Sequence, residues 1–323
     1  MPAAIWILLG LAGLVVGAEL IVRHGSKLAA RLGVPSILVG LTIVSIGTSA
    51  PELAVGIDAV RTGAGSLAVG NIAGTNVANL LLILGLSAAI RPLAIHRQTI
   101  RIDLPGMAFA SVLLLVLSLD GELTVMDGVL LALSAVVYVV LLIRTARREP
   151  PQVVAEYEAE FPHDRPRHRI ADPVLRLLLV VGGIALVVVG AEWLVRGSVD
   201  LASSLGVPDS LIGLTIIALG TSAPELATTV VATVRGDPDI AIGNLIGSST
   251  FNLTAILGTS LLFAHEPVLL DPSLLTFGLP VMVLVALVCI PVFITGRVVS
   301  RLEGGLFVTG YVAYLTYLIA TTM

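Results

Sequence analysis

Charge is scarce in this chain. Only 12% of its 323 residues are Asp, Glu, Lys or Arg, 56% are hydrophobic, and the mean hydropathy is +1.03. Water cannot solvate most of such a surface, which excludes a soluble globular domain. The lone cysteine, Cys289, rules out an intramolecular disulfide framework and reads as a small buried hydrophobe. None of the five histidines falls at the centre of an apolar run, and no His-Glu-x-x-His is present, so an intramembrane hydrolase lacks both metal motif and base. No selectivity-filter loop repeats, which argues against a cation channel. No Lys or Arg precedes the first apolar run and no small-x-small cleavage site follows it, so it is expected to stay as a membrane span.

Long apolar runs are what the chain has instead. They cover roughly residues 3 to 22, 36 to 62, 66 to 90, 104 to 119, 124 to 143, 174 to 195, 209 to 234, 239 to 263, 274 to 296 and 303 to 321; about 20 residues cross a bilayer as a helix. The runs are continuous rather than alternating, which favours ten helices over a membrane barrel. The expected architecture is an all-α polytopic membrane protein. Arg and Lys give the orientation: sixteen fall on one side of the alternating connections and only Arg61 and Arg196 on the other. Basic loops stay in the cytoplasm, so both termini are expected outside.

The chain also repeats itself. Gly47-Thr48-Ser49-Ala50-Pro51-Glu52-Leu53 recurs letter for letter as Gly220-Thr221-Ser222-Ala223-Pro224-Glu225-Leu226, and the same offset pairs Gly17-Ala18-Glu19 with Gly190-Ala191-Glu192, Arg23 with Arg196, Gly33-Val34-Pro35 with Gly206-Val207-Pro208, Gly70-Asn71 with Gly243-Asn244, and Asn79 with Asn252. Each copy opens a half of five spans. Five is odd, so the second half enters the membrane from the opposite face, giving an inverted-topology repeat with a midplane site between the halves. The expected divisions are a first five-helix repeat over 1–146, a cytoplasmic linker over 147–172, and the inverted repeat over 173–323. The linker, with Pro150-Pro151 and both acidic and basic stretches, reads as a solvated connector. Glycines in the first and sixth spans predict close helix packing, and Glu19 and Glu192 are expected to pair with Arg23 and Arg196, four residues on.

The repeated motif sets a carboxylate in the middle of an apolar run, one residue after a proline. Pro51 has no N–H and disfavours helical geometry at Ala50, so a break is expected there, with the carbonyls of Ser45, Gly47 and Thr48 freed and Glu52 in the first turn of a new half-helix. Carbonyls and carboxylates are hard oxygen ligands suited to Ca²⁺ or Na⁺. The third span repeats the idea with Thr75 and Asn79, four apart on one helix face; Ser248 and Asn252 take those places in the second half. Helices 2, 3, 7 and 8 are thus expected to be broken and to form a midplane ion site. Ser, Thr and Asn also serve as interhelical hydrogen-bond glue. Glu52 and Glu225 differ, because no Lys, Arg or His lies near the expected midplane to pair with them, and an unpaired buried carboxylate must take a proton or a cation. Two carboxylates bring a charge that one Ca²⁺, two Na⁺ or two H⁺ would neutralise.

The paired Gly-Thr-Ser-Ala-Pro-Glu-Leu segments, each followed by Gly-Asn and then by Gly-Thr-Asn or Gly-Ser-Ser with a later Asn, resemble the two alpha-repeats of the sodium/calcium exchanger family, in the cation/calcium antiporter superfamily. The short linker resembles that of prokaryotic members. The resemblance implies that Glu52 and Glu225 are central to a calcium site with Thr48 and Thr221 beside them. It implies further that Ser49, Ser222, Thr75 and Ser248, with the carbonyls of Ser45 and Ala218, line flanking sodium sites, and that Asn79 and Asn252 stand mid-cluster. Some members carry Asp at the place of Asn252 and Ser at that of Thr75. The function so implied is Na⁺/Ca²⁺ antiport by alternating access, electrogenic if three Na⁺ pass per Ca²⁺, in a prokaryotic inner or plasma membrane, with the first and sixth spans sliding over the other eight. An H⁺/Ca²⁺ or other divalent-cation antiporter is the alternative. No enzyme activity, cofactor, nucleic acid or obligate protein partner is expected; the partners are the bilayer and the transported ions.

Overall fold

The computed structural model of the chain describes residues 3–32, 34–146, 171–205 and 218–322. Helix α1 runs Ala3–Leu32, α2 Ser36–Thr48, α3 Ala50–Arg61, α4 Gly65–Ile90, α5 Thr99–Leu117 and α6 Val125–Ala146. In the second half come α7 Ala171–Ser204, α8 Ala218–Thr221, α9 Ala223–Arg235, α10 Pro238–Leu261, α11 Leu274–Ile294 and α12 Arg301–Thr322. Among the described residues eight helices are long and apolar enough to cross a membrane, and nine when α2 and α3 count as one bent span. The chain is a multi-pass membrane protein. The linker residues 147–170 and residues 206–217, which open the expected seventh span, lie outside the described residues.

The bend between α2 and α3 is 43°. Its cause is local: Pro51 gives no N–H to the Gly47 carbonyl, and Ser49 takes φ −82° and ψ 8°, off the helical minimum. Ser222 has almost the same values, φ −84° and ψ 1°, between α8 and α9, so the repeated sequence bends twice in the same way. Both half-helices end alike, with Gly63 and Gly236 each at φ +79°, a conformation glycine adopts without a Cβ clash.

The third and eighth spans depart from expectation. No break occurs; α4 and α10 run continuously and carry π-helical stretches at Ala78–Ile83 and Asn252–Ile256. A π turn widens the helix without removing its hydrogen-bonded continuity, which lets Asn79 and Asn252 aim inward at lower cost than an interruption inside lipid. These two helices form the centre of the fold: 78% and 94% of their apolar windows are buried, against 39% or less in the other single spans. Ile72, Val77 and Leu80 on α4 share one core with Leu245, Phe251 and Leu253 on α10 and with Leu104 and Met107 on α5.

Helices α1 and α7 are 30 and 34 residues long, and on α1 Ala29 still packs in an apolar cluster beyond the charged turn at Arg23. They pack antiparallel along glycines. A Cβ on Gly10 would lie 2.5 Å from the Leu194 nitrogen, one on Gly17 2.7 Å from the Gly183 oxygen, and one on Gly197 2.7 Å from the Ala3 oxygen, so only glycine permits this backbone approach.

Two short ladders supplement the helices. Strand β1 (Leu93–Ala94) pairs antiparallel with β4 (Val298–Val299), and β2 (Glu122–Leu123) with β3 (Val268–Leu269). Each ties a loop of the first half to a loop of the second. Glu19 does not follow expectation: it accepts a 2.7 Å hydrogen bond from Arg235 Nε of α9, while the Arg196 guanidinium lies 4.8 Å over the Trp6 ring.

Candidate functional site

Four elements converge where the two bends face α4 and α10. Ser45 and Thr48 end α2, Ser49 is the bend, and Glu52 opens α3; Ser222 and Glu225 take the matching places before and within α9. Thr75 and Asn79 come from α4, Ser248 and Asn252 from α10. All ten are buried, none more than 3% exposed. Thr221 is half-buried, and Ala218 lies in α8.

Contacts across the repeat join the halves. Ser49 Oγ donates to Glu225 Oε1 at 3.3 Å, and Ser248 Oγ lies 3.3 Å from that oxygen and 3.4 Å from the Ser45 carbonyl. Thr48 Oγ1 sits 3.3 Å from Ser248 Oγ, 3.3 Å from the Ser45 carbonyl and 3.2 Å from Asn244 Oδ1. The two hydroxyls therefore bracket the Ser45 carbonyl, which, against expectation, is not freed by the bend: it accepts from the Ser49 N–H at 3.1 Å, and the carbonyl that Pro51 leaves without its helical donor is that of Gly47.

The carboxylates are brought together. Glu52 lies within electrostatic reach of Glu225, and burial and that like charge dominate its surroundings; burial and the hydroxyls of Thr48, Ser49 and Ser248 dominate those of Glu225. Many oxygens in this cluster have no protein partner. Both Glu52 carboxylate oxygens, Glu225 Oε2, Thr75 Oγ1, Ser222 Oγ, and the amide oxygens and nitrogens of Asn79 and Asn252 are buried without a hydrogen bond. Buried unmet polar atoms at this density are costly, at about 1–3 kcal/mol each, and a cation would use the oxygens among them but not the two amide nitrogens, which only donate. The atoms able to ligate are all oxygen, which suits a hard cation of six to eight ligands better than a soft metal. Among the described residues no three His, Cys, Asp or Glu side chains come together as a metal cluster.

Two participants escape a reading based on the repeated motif. Asn244 is fully buried, touches Thr48, and donates from Nδ2 to Thr229 Oγ1 at 3.1 Å and to the Glu225 carbonyl at 3.5 Å. The spacing Asn244, Ser248, Asn252 makes one stripe at successive four-residue steps, a signal available in the sequence. Thr229 has no such signal, since its repeat mate is Gly56.

A family model described as "Sodium/calcium exchanger protein" matches residues 2–144 and 175–320. The chain is similar to the putative antiporter CaxA of Alkalimonas amylolytica, at 37% identity over 82% of each chain. It is also similar to the sodium/calcium exchanger MaX1 of Methanosarcina acetivorans, at 34% identity over 97% of each chain. Its fold matches that of the sodium-calcium exchanger NCX_Mj, in a form soaked with zero Na⁺ and Ca²⁺, with a TM-score of 0.83 and 26% identity over 98% of both chains.

Proposed function

The chain belongs to the sodium/calcium exchanger family, and from that premise we propose that it exchanges Na⁺ for Ca²⁺ across a prokaryotic membrane by alternating access. One observation carries the proposal: Glu52 and Glu225, fully buried, come from two copies of one motif and act on each other, and three of their four carboxylate oxygens have no hydrogen-bond partner. Ca²⁺ is held by the two carboxylates with Thr48 and Thr221. Na⁺ takes the flanking positions at Ser49, Ser222, Thr75 and Ser248 and the carbonyls of Ser45 and Ala218, with Asn79 and Asn252 between.

The charges impose exchange. An empty site carries two bare carboxylates, and the desolvation of each ion costs at least several kcal/mol, so the protein crosses between its two accessible states only when loaded. One Ca²⁺ neutralises the pair. Three Na⁺ leave it with one positive charge, which makes the cycle electrogenic.

We further propose ten spans in two inverted halves, residues 1–146 and 173–323, with a cytoplasmic linker over 147–172 and both termini outside. Contacts that exchange under the repeat support this. Gly17 against Gly183 becomes Gly190 against Gly10, and, with the offset widened to 175–176 residues beyond Gly85, Gly85 against Gly304 becomes Gly258 against Gly128 and the β1–β4 ladder becomes the β3–β2 ladder. A two-fold axis in the membrane plane has this effect.

The test is Ca²⁺ uptake into proteoliposomes at clamped voltage, driven first by an outward Na⁺ gradient and then by an outward H⁺ gradient. Uptake under Na⁺ alone is expected. Uptake under H⁺ alone would transfer the assignment to an H⁺/Ca²⁺ antiporter using the same two carboxylates.

A further inference from the structure

The two halves share a sequence plan but not a conformation. On α9 the face formed by Ala223, Ala227 and Val231 shares an apolar cluster with Leu14, Ala18 and Ile21 of α1. The matching face of α3 is Ala50, Ala54 and Asp58, and all three are exposed. Helix α1 packs along α9, whereas α7, its repeat mate, scarcely touches α3. The outer face of α9 is therefore covered by α1, and the matching outer face of α3 is uncovered.

Polar contacts hold the covered end. Arg235 Nε donates to Glu19 Oε2 at 2.7 Å, and Ser26 Oγ donates to Asp237 Oδ2. Under the repeat, Glu19 and Arg235 map onto Glu192 and Thr62, and Ser26 and Asp237 map onto Val199 and Ala64. Neither contact has a residue-for-residue counterpart at the other end: Thr62 has no charge, and Val199 and Ala64 have no polar side-chain atom. The open face adds a second bias. Asp58 stands where the covered face has Val231, so moving α7 onto α3 would bury a carboxylate, whereas α1 on α9 buries a valine.

We propose that Glu19–Arg235 and Ser26–Asp237 form a one-sided clasp that sets the resting access of the ion site, holding it closed at the α9 end and open along α3. These are positioning residues, remote from the ions, that fix which face of the membrane the site meets in the absence of a driving gradient. Given the orientation proposed above, on which only the naming of the sides depends, the resting site opens outward.

The clasp is tested by cysteine accessibility in the full-length protein, with Cys289→Ala as background and a single cysteine at Ala54 or Ala227. Proteoliposomes are treated from each side with a membrane-impermeant maleimide at fixed Na⁺. Ala54→Cys is expected to react and Ala227→Cys to be protected. Arg235→Ala or Ser26→Ala should then slow the first and speed the second, the ratio of the two rates falling by about two- to fivefold, the factor of one partly exposed ion pair or hydrogen bond. Arg235→Lys should restore the parent ratio, and the apparent Ca²⁺ affinities at the two faces should move in opposite directions. A variant that merely loosens the bundle raises both rates, and that result, or no change in either, overturns the clasp. Labelling of Ala54→Cys only from the linker side reverses the proposed orientation but supports the clasp equally. Loss of Na⁺ coupling in the uptake assay would remove the proposed function while leaving these rates as expected.

Discussion

Replacing Glu52 by Gln keeps the volume of the side chain and removes one of the two buried charges. Among the described residues no basic side chain compensates for it: both Glu52 oxygens are without a hydrogen-bond partner, and the charge acting on the group is that of Glu225. Deleting one partner of a buried charge cluster costs about 3–5 kcal/mol. That corresponds to a loss of Ca²⁺ affinity on the order of a hundred- to several-thousand-fold. Protein insertion and thermal stability should not fall, because one carboxylate no longer repels the other; the thermal midpoint in Ca²⁺-free detergent should stay level or rise. The assay is Na⁺-driven Ca²⁺ uptake in proteoliposomes, titrated with Ca²⁺, beside a melting curve of the same preparation. A Glu52→Gln protein that takes up Ca²⁺ with an apparent affinity within about threefold of wild type, a difference under 1 kcal/mol, would refute the reasoning.

Three further outcomes are expected from other parts of the structure. Ser248→Ala removes the hydroxyl between Glu225, Thr48 and the Ser45 carbonyl; it should weaken Na⁺ activation by about 1–2 kcal/mol, or roughly five- to thirtyfold, with a smaller change in Ca²⁺ affinity, and equal losses for both ions would contradict its place beside a sodium site. Gly10→Val forces side-chain atoms toward the Leu194 backbone, where even a Cβ would lie 2.5 Å away; overpacking of about 1–3 kcal/mol or more should lower the melting midpoint in detergent, and an unchanged melt would deny the close α1–α7 seam. If one net charge moves per cycle, a potential of about 100 mV, worth about 2.3 kcal/mol, should shift the equilibrium Ca²⁺ ratio by about fiftyfold, whereas an electroneutral exchanger would show no shift.

Much of the site was legible because the sequence states it twice. An acid after a proline inside an apolar run is costly enough to need a reason, and its recurrence as Glu52 and Glu225 made coincidence a poor one. The bends at Ser49 and Ser222 followed from the missing proline N–H alone. The form of α4 and α10 did not: glycines and polar residues are compatible with either a break or a π turn, and the choice depends on how neighbouring helices satisfy the backbone. Partners of surface charges were equally hidden. Four-residue spacing paired Glu19 with Arg23, but tertiary packing brings Arg235 to it from a helix more than two hundred residues away. The difference between the covered α9 and the open α3 was present in the sequence as Val231 against Asp58, and it gained meaning only once α1 was seen to lie on one and α7 off the other.

The central claim is that one cargo ion is shared by two carboxylates from opposite halves of the chain. Anomalous diffraction from crystals soaked in Ca²⁺, and then in Ca²⁺ with excess Na⁺, tests it directly. A single peak between Glu52 and Glu225 that fades as Na⁺ rises is the expected result; a peak bonded to neither carboxylate, or one indifferent to Na⁺, would contradict it.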